Sequence, residues 1–103
     1  VRFRLRDVDA PETGGVGAAI GGAKCERERE LGFFAKEFIV ALTSSAAIIV
    51  TEDYGPDRFD RSVVDLSADG VDVASAGLEA GYLRAWPHDA NGNSLSEKPD
   101  WCL

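Results

Sequence analysis

Between Glu26 and Thr43 the apolar residues Leu31, Phe34, Phe38 and Leu42 recur at three- and four-residue steps, with Ala35 and Ala41 beside them. That spacing lines one face of a helix and cannot line one face of a strand. Upstream the period is different. From Val1 to Val8 the chain alternates, with Val1, Phe3 and Leu5 facing one way and Arg2, Arg4 and Arg6 the other. Period-two alternation is the mark of a half-buried strand. A chain that changes period in this way, and then returns to apolar runs, belongs to the α+β class, mainly β, with the helix packed on the sheet.

Asp9-Ala10-Pro11-Glu12-Thr13 breaks the first strand, because Pro11 has no N–H to give a ladder and pushes Ala10 toward extended geometry. Gly14 to Ala23 is rich in glycine and alanine and nearly uncharged, which predicts a mobile loop. Acidic residues Glu26, Glu28 and Glu30 crowd the first turns of the helix, suit the positive end of its dipole, and read as a solvated face. Gly32 weakens the helix and admits close packing against the sheet. Ala46 to Thr51 predicts a buried strand, Glu52 to Asp57 a turn at Gly55-Pro56, and Ser62 to Leu66 a further strand. A turn at Ala68-Asp69-Gly70 leads to a short helix from Val73 to Ala80, closed by Gly81 as its C-terminal cap. Beyond Trp86-Pro87 the chain reads as loop, through Asn91-Gly92-Asn93 to Trp101-Cys102. No segment repeats, and the 103 residues form one domain, 1–103.

Charge narrows the function. The formal net charge is −7, and a protein that holds nucleic acid mainly by counterion release is basic over at least one face. Overall acidity therefore opposes tight, unspecific nucleic-acid binding, yet it leaves room for a small site where a few arginines meet a phosphate. No apolar run approaches the roughly 18 residues that span a membrane. The absence of methionine implies that chain precedes Val1 in the parent protein. Two cysteines, Cys25 and Cys102, permit one disulfide, which would tie the helix start to the last turn and point to an exported protein. The alternative is two buried thiols in a cytoplasmic one. With His88 the only histidine, the cysteines make no zinc spacing, and no nucleophile motif accompanies it.

At three joints the residues carry a more specific signal. Arg4-Leu5-Arg6-Asp7-Val8-Asp9-Ala10-Pro11-Glu12-Thr13 has an arginine, an aspartate five residues later, and Pro-Glu closing the motif. Asp57-Arg58-Phe59-Asp60-Arg61 stands at the start of a strand. Ser67-Ala68-Asp69-Gly70-Val71-Asp72-Val73 leads into a helix that ends Ala80-Gly81. In this order they resemble the staphylococcal (thermo)nuclease family over nearly the whole chain. Trp101-Cys102 is similar to the end of bacterial members that also carry a cysteine at the first helix. The resemblance implies an OB-type five-stranded barrel with about three helices, whose first two strands would precede Val1, leaving open barrel edges and scope for self-association. It also implies a secreted, calcium-dependent nuclease, a hydrolase of DNA and RNA. Carried over by position, Arg4 and Arg61 would hold the phosphate, Asp9 and the Ala10 carbonyl would bind Ca²⁺, and Glu12 would be the general base. Arg58 and Phe59 would add phosphate contact and base stacking.

These assignments make chemical sense. Phosphodiester hydrolysis gathers negative charge on a pentacoordinate phosphorus, and guanidinium forks pair two phosphoryl oxygens while keeping their protons. Ca²⁺ wants six to eight oxygens, and a carboxylate beside it can deprotonate an in-line water. Two departures from the family bear on activity. The Asp-Gly-Asp-Thr-like segment that carries a further calcium ligand is absent from this sequence, and Asp60 replaces a glycine beside Arg61. The alternative function is a catalytically inactive OB module that binds an oligonucleotide, another polyanion or a protein partner.

Overall fold

A computed structural model describes residues 2–103, so the assignment of Val1 to the first strand lies outside the described residues. Six strands and two helices follow in the order β1 (Phe3–Leu5), β2 (Val8–Asp9), α1 (Glu26–Thr43), β3 (Ile48–Pro56), β4 (Ser62–Ala68), β5 (Val71–Asp72), α2 (Val73–Ala80) and β6 (Arg84–Ala85). The class is α+β with mixed sheets. Two helices are present among the described residues, against the three or so expected.

The predicted first strand is two strands. Asp7 takes a left-handed φ of 57°, which aspartate tolerates better than most side chains, and the chain turns there. β1 then runs parallel to β4, with Phe3 opposite Ser62 and Leu5 opposite Val64. β2 leaves that sheet and pairs antiparallel with β6, Val8 opposite Ala85 and Asp9 opposite Arg84. β4 is the central strand: β3 runs antiparallel along it, and β5 pairs its C-terminal end through Ser67 and Ala68. No closed barrel forms among the described residues.

β3 corrects two expectations. It was to be a short buried strand followed by a turn, but it continues through Gly55 to Pro56 and is exposed for almost its whole length. Register shifts between Val50 and Glu52 and between Asp53 and Pro56 absorb the turn-forming residues as irregularities, which bend and twist the strand. As an edge strand it carries Ile49 at 59% exposure.

The helices begin and end where their periodicity predicts. Cys25 is the N-cap of α1, and its sulfur accepts from the Glu28 N–H at 3.4 Å. Glu28 is buried, not solvated: its carboxylate accepts from the Lys24 N–H at 2.9 Å and the Glu12 N–H at 3.0 Å. That arrangement resembles a capping box, and it also fastens the Pro11–Glu12 segment to the helix. Gly32 lets the two backbones meet, since a Cβ there would lie 2.6 Å from the Glu12 carbonyl oxygen. The buried stripe is narrower than predicted: Ala35 and Gly32 are inside, while Phe34 is 56% exposed. Phe38 meets Tyr82, beyond α2, with ring centroids 5.2 Å apart. Gly81 caps α2 at φ 83°, a left-handed conformation that glycine adopts without a steric penalty.

Gly14 to Ala23, expected to be mobile, closes on itself through bonds from Gly14 N–H to Gly21 O, Ala23 N–H to Gly14 O and Gly17 N–H to Ala23 O. The core is small and made of Val8, Ala23, Ala35, Val64, Ala68, Val73, Leu83 and Trp101. A disulfide joins Cys25 to Cys102 across 77 residues, with Cα atoms 6.2 Å apart, and fastens the C-terminal segment to the start of α1. Neither described helix is long and apolar enough to cross a membrane.

Candidate functional site

The parallel pairing of β1 with β4 sets Arg4 opposite Val63, two residues after Arg61 at the end of the β3–β4 connection. Both arginines therefore face a common groove of about 530 Å³, together with Arg6, Arg58 and Phe59. The far wall comes from the C-terminal loop, with Trp86, His88 and Asp89, and the near end of β3 adds Tyr54. Four guanidiniums thus share one groove with the carboxylates of Asp7, Asp57 and Asp89, leaving a positive balance in a chain whose net charge is −7.

Each carboxylate positions something. Asp57 heads the β3–β4 loop, and its Oδ1 accepts from the N–H groups of Phe59 at 2.8 Å and Arg61 at 3.0 Å. Its Oδ2 accepts from Arg61 Nε at 2.8 Å. Partial burial pushes the Asp57 carboxyl up, but these three donors and the guanidinium charge together hold it below the usual carboxylate range. Arg61 is so gripped by its Nε edge, and its terminal nitrogens have no hydrogen-bond partner among the described residues. Asp60, the residue that replaces the glycine, takes a left-handed φ of 61° and donates its N–H to the Asp57 carbonyl, and the ion pair with Arg61 is made by Asp57 instead.

Asp7 builds the opposite wall. Its carbonyl accepts from the Trp86 N–H at 2.8 Å and its Oδ1 from the His88 N–H at 3.0 Å. Asp89 in turn accepts from the N–H groups of Asn91 and Asn93, each at 2.9 Å. The Asn93 N–H, ahead of the others, lowers the pKa of that carboxyl against the opposing effect of burial. The aromatic side chains carry the cations on their faces. The Arg6 guanidinium lies 4.1 Å from the centroid of Tyr54, Arg61 lies 5.2 Å from that of Phe59, and Arg4 lies 5.7 Å from that of Trp86. Contact with Tyr54, then the neighbouring acids Asp7 and Asp65, raises the Arg6 pKa further above its already high value. The Tyr54 hydroxyl donates to Asp65 at 2.7 Å, and that bond raises its pKa and keeps the phenol protonated.

Sequence reasoning placed Asp9, Ala10 and Glu12 in the same site as Arg4 and Arg61. The structure does not bring them together, because none of the three lines the groove. Asp9 is buried to 7% exposure, and its Oδ2 accepts from the Trp101 indole at 2.8 Å and the Lys98 ammonium at 3.0 Å. Ala10 is exposed, and the Glu12 backbone is fastened to Glu28. Among the described residues no three acidic, histidine or cysteine side chains cluster as a metal would need. Asp9, already saturated on one oxygen by an ammonium and an indole, does not fit the oxygen-rich shell of Ca²⁺ in this arrangement.

The sequence reading weighed His88 for zinc and nucleophile chemistry only, and missed Trp86, at the start of a segment that reads as loop, and Arg6, which stands on the same strand face as Arg4 and so carries a visible signal. It also missed Lys98 and Trp101 as partners of Asp9, for which no local pattern exists. No protein-family model matches the chain, and no curated protein matches it.

Proposed function

We propose that the protein is a nuclease-like phosphodiesterase of the staphylococcal-nuclease type, and that the arginine groove is where it holds the nucleic acid. The observation that carries this reading is the convergence of Arg4, Arg6, Arg58 and Arg61, from two distant segments, on one groove with aromatic walls. Guanidiniums pair phosphoryl oxygens in a fork, and aromatic faces accept unstacked bases without regard to their identity. Arg61, oriented through Nε by Asp57, presents its other edge to a phosphate. Arg4, which spends one N–H on the Leu5 carbonyl at 3.0 Å, faces it from the parallel strand. A bent, mixed sheet with a bulged edge strand is in keeping with the wall of an OB-type barrel. The Cys25–Cys102 disulfide, a bond of oxidising compartments, supports export.

Because the carboxylates do not make a calcium shell here, no step is routed through a metal. The same observation favours a second reading, in which the groove binds single-stranded nucleic acid or another polyanion without cleaving it.

The deciding experiment follows labelled single-stranded DNA and RNA with this protein, in Ca²⁺ and in excess chelator, with Arg61→Ala as control. Hydrolysis that the variant loses by about 100-fold or more supports the phosphodiesterase, since removing one charge-stabilising donor costs about 3 kcal/mol in the transition state. Binding without cleavage would replace it by the binding reading. Absence of both binding and cleavage would remove nucleic acid as the ligand.

A further inference from the structure

We infer that His88 is the proton acceptor of the groove and that the substrate class is RNA, whose own 2′-hydroxyl is the nucleophile; this rests on the groove being a phosphodiester site. His88 Nδ1 lies 2.7 Å from the Trp86 carbonyl oxygen. A carbonyl only accepts, so the partner assigns the proton to Nδ1 and leaves the lone pair of the neutral ring on Nε2. Backbone bonds fix the segment that carries the ring, and an aromatic contact meets the ring itself. The His88 backbone N–H is bound by Asp7 Oδ1 at 3.0 Å, and the Trp86 N–H is bound by the Asp7 carbonyl at 2.8 Å. The Trp86 ring meets it edge-on with centroids 4.7 Å apart. A base so fixed loses little freedom on meeting its substrate.

The other groups that line the groove are occupied or cationic. Asp57 is bound to Arg61 and two N–H groups, Asp89 to the Asn91 and Asn93 N–H groups, and Asp7 to the His88 N–H and, at 3.5 Å, to Arg6. Glu12, the base that sequence position implied, lies outside the groove. His88 is thus the one imidazole among the groove-lining residues, with Arg4, Arg6, Arg58 and Arg61 around the same space. Such a site has cations for a phosphorane and a base for one proton, but no donor set that would gather a metal-bound water. Without a metal to activate water, a nucleophile that the ligand itself holds next to the phosphorus has the advantage of proximity, and the 2′-hydroxyl of RNA is one that DNA lacks.

The step balances without any further reagent than water. As Nε2 takes the 2′-hydroxyl proton, the 2′ oxygen bonds to the adjacent phosphorus and the P–O5′ bond breaks. The departing 5′ oxygen takes a proton from water, and the imidazolium returns its own to the hydroxide so formed. The products are a 2′,3′-cyclic phosphate and a 5′-hydroxyl. Arg4 and Arg61 stabilise the charge on the phosphorane.

The test uses a DNA oligonucleotide with a single ribonucleotide, its all-deoxy counterpart, and excess chelator throughout. Cleavage is followed by mass spectrometry of the ends, and binding by fluorescence anisotropy. We expect cleavage only after the ribonucleotide, with a 2′,3′-cyclic phosphate end. His88→Gln should lower kcat by about 100-fold or more while changing binding less than about twofold, as loss of a general base does. Equal cleavage of the all-deoxy strand, a 5′-phosphate product, or full activity in His88→Gln overturns the inference and leaves the phosphodiester reading standing. Binding without cleavage overturns it too, in favour of a binding groove. Failure to bind either strand overturns both. If the variant does not fold, the contrast between the two strands on the wild-type protein still decides.

Discussion

Asp57 holds together the residues on which the groove depends. One carboxylate accepts two backbone N–H groups and the Arg61 Nε, so it shapes the loop and aims the guanidinium at once. Asp57→Asn keeps the shape but loses the charge and turns one acceptor into a donor. Oligonucleotide affinity should fall by about tenfold, as expected when a hydrogen bond to a charged group is lost, and anisotropy titration would show it. The same residue has a pH signature. Its folded pKa is lowered, as is that of Asp89, so both contribute stability that is complete above the unfolded value near 4 and lost as pH falls through the folded one. Thermal melts between about pH 2 and pH 6 should therefore show stability falling below about pH 4, with a shallower fall in Asp57→Asn. Equal slopes for the two proteins would mean that the Asp57 bonds do not persist in solution.

Helix α1 shows how an element is legible in sequence while its environment is not. Its bounds, Glu26 to Thr43, follow from the three- and four-residue spacing and from the acidic first turns. The identity of its buried face does not. Glu28 is inside because the N–H groups of nearby Lys24 and of Glu12, 16 residues back in the chain, need an acceptor there, and Phe34 is outside because no element covers it among the described residues. Gly32 is the point of closest approach, and Gly32→Ala would drive a Cβ against the Glu12 carbonyl, which is backbone and cannot swing aside. We expect a loss of about 1–3 kcal/mol in denaturant unfolding, the usual cost of overpacking, even though alanine is the better helix former. A stabilised variant would show that α1 and the Glu12 segment stand further apart. β3 makes the complementary point. Its β-branched run predicts a strand, but burial is a property of neighbours, and this strand has β4 on one side and no strand on the other among the described residues.

At the scale of the whole molecule, a small core leaves much of the stability to the disulfide. Cys25–Cys102 closes a loop of 77 residues in separation, and the chain-entropy model gives such a bond roughly 4 kcal/mol. Cys102 adjoins Trp101, which is 2% exposed and donates to Asp9, so the bond also holds the segment that covers this buried carboxylate. The pair Cys25→Ser and Cys102→Ser should lose roughly 4 kcal/mol in urea unfolding, with Trp101 emission moving to longer wavelength as the segment loosens. An unchanged midpoint would mean that the crosslink is not formed.

Local pattern by itself determined the two helices, the Gly81 cap of α2, the β4–β5 turn, the α+β class and the cationic face of the first strand. These depend on residues within a few positions of one another, where backbone geometry and side-chain period act directly. Tertiary structure alone decided which charges share a site. The parallel pairing of β1 with β4 brings Arg4 to Arg61, and the turn at Asp7 carries Trp86 and His88 to the same groove, across more than 70 residues. It also removed Asp9 from that site, by giving its carboxylate to Lys98 and Trp101. A motif records which residues are near in the chain. Which partner neutralises a buried carboxylate depends on where the fold places the distant donors.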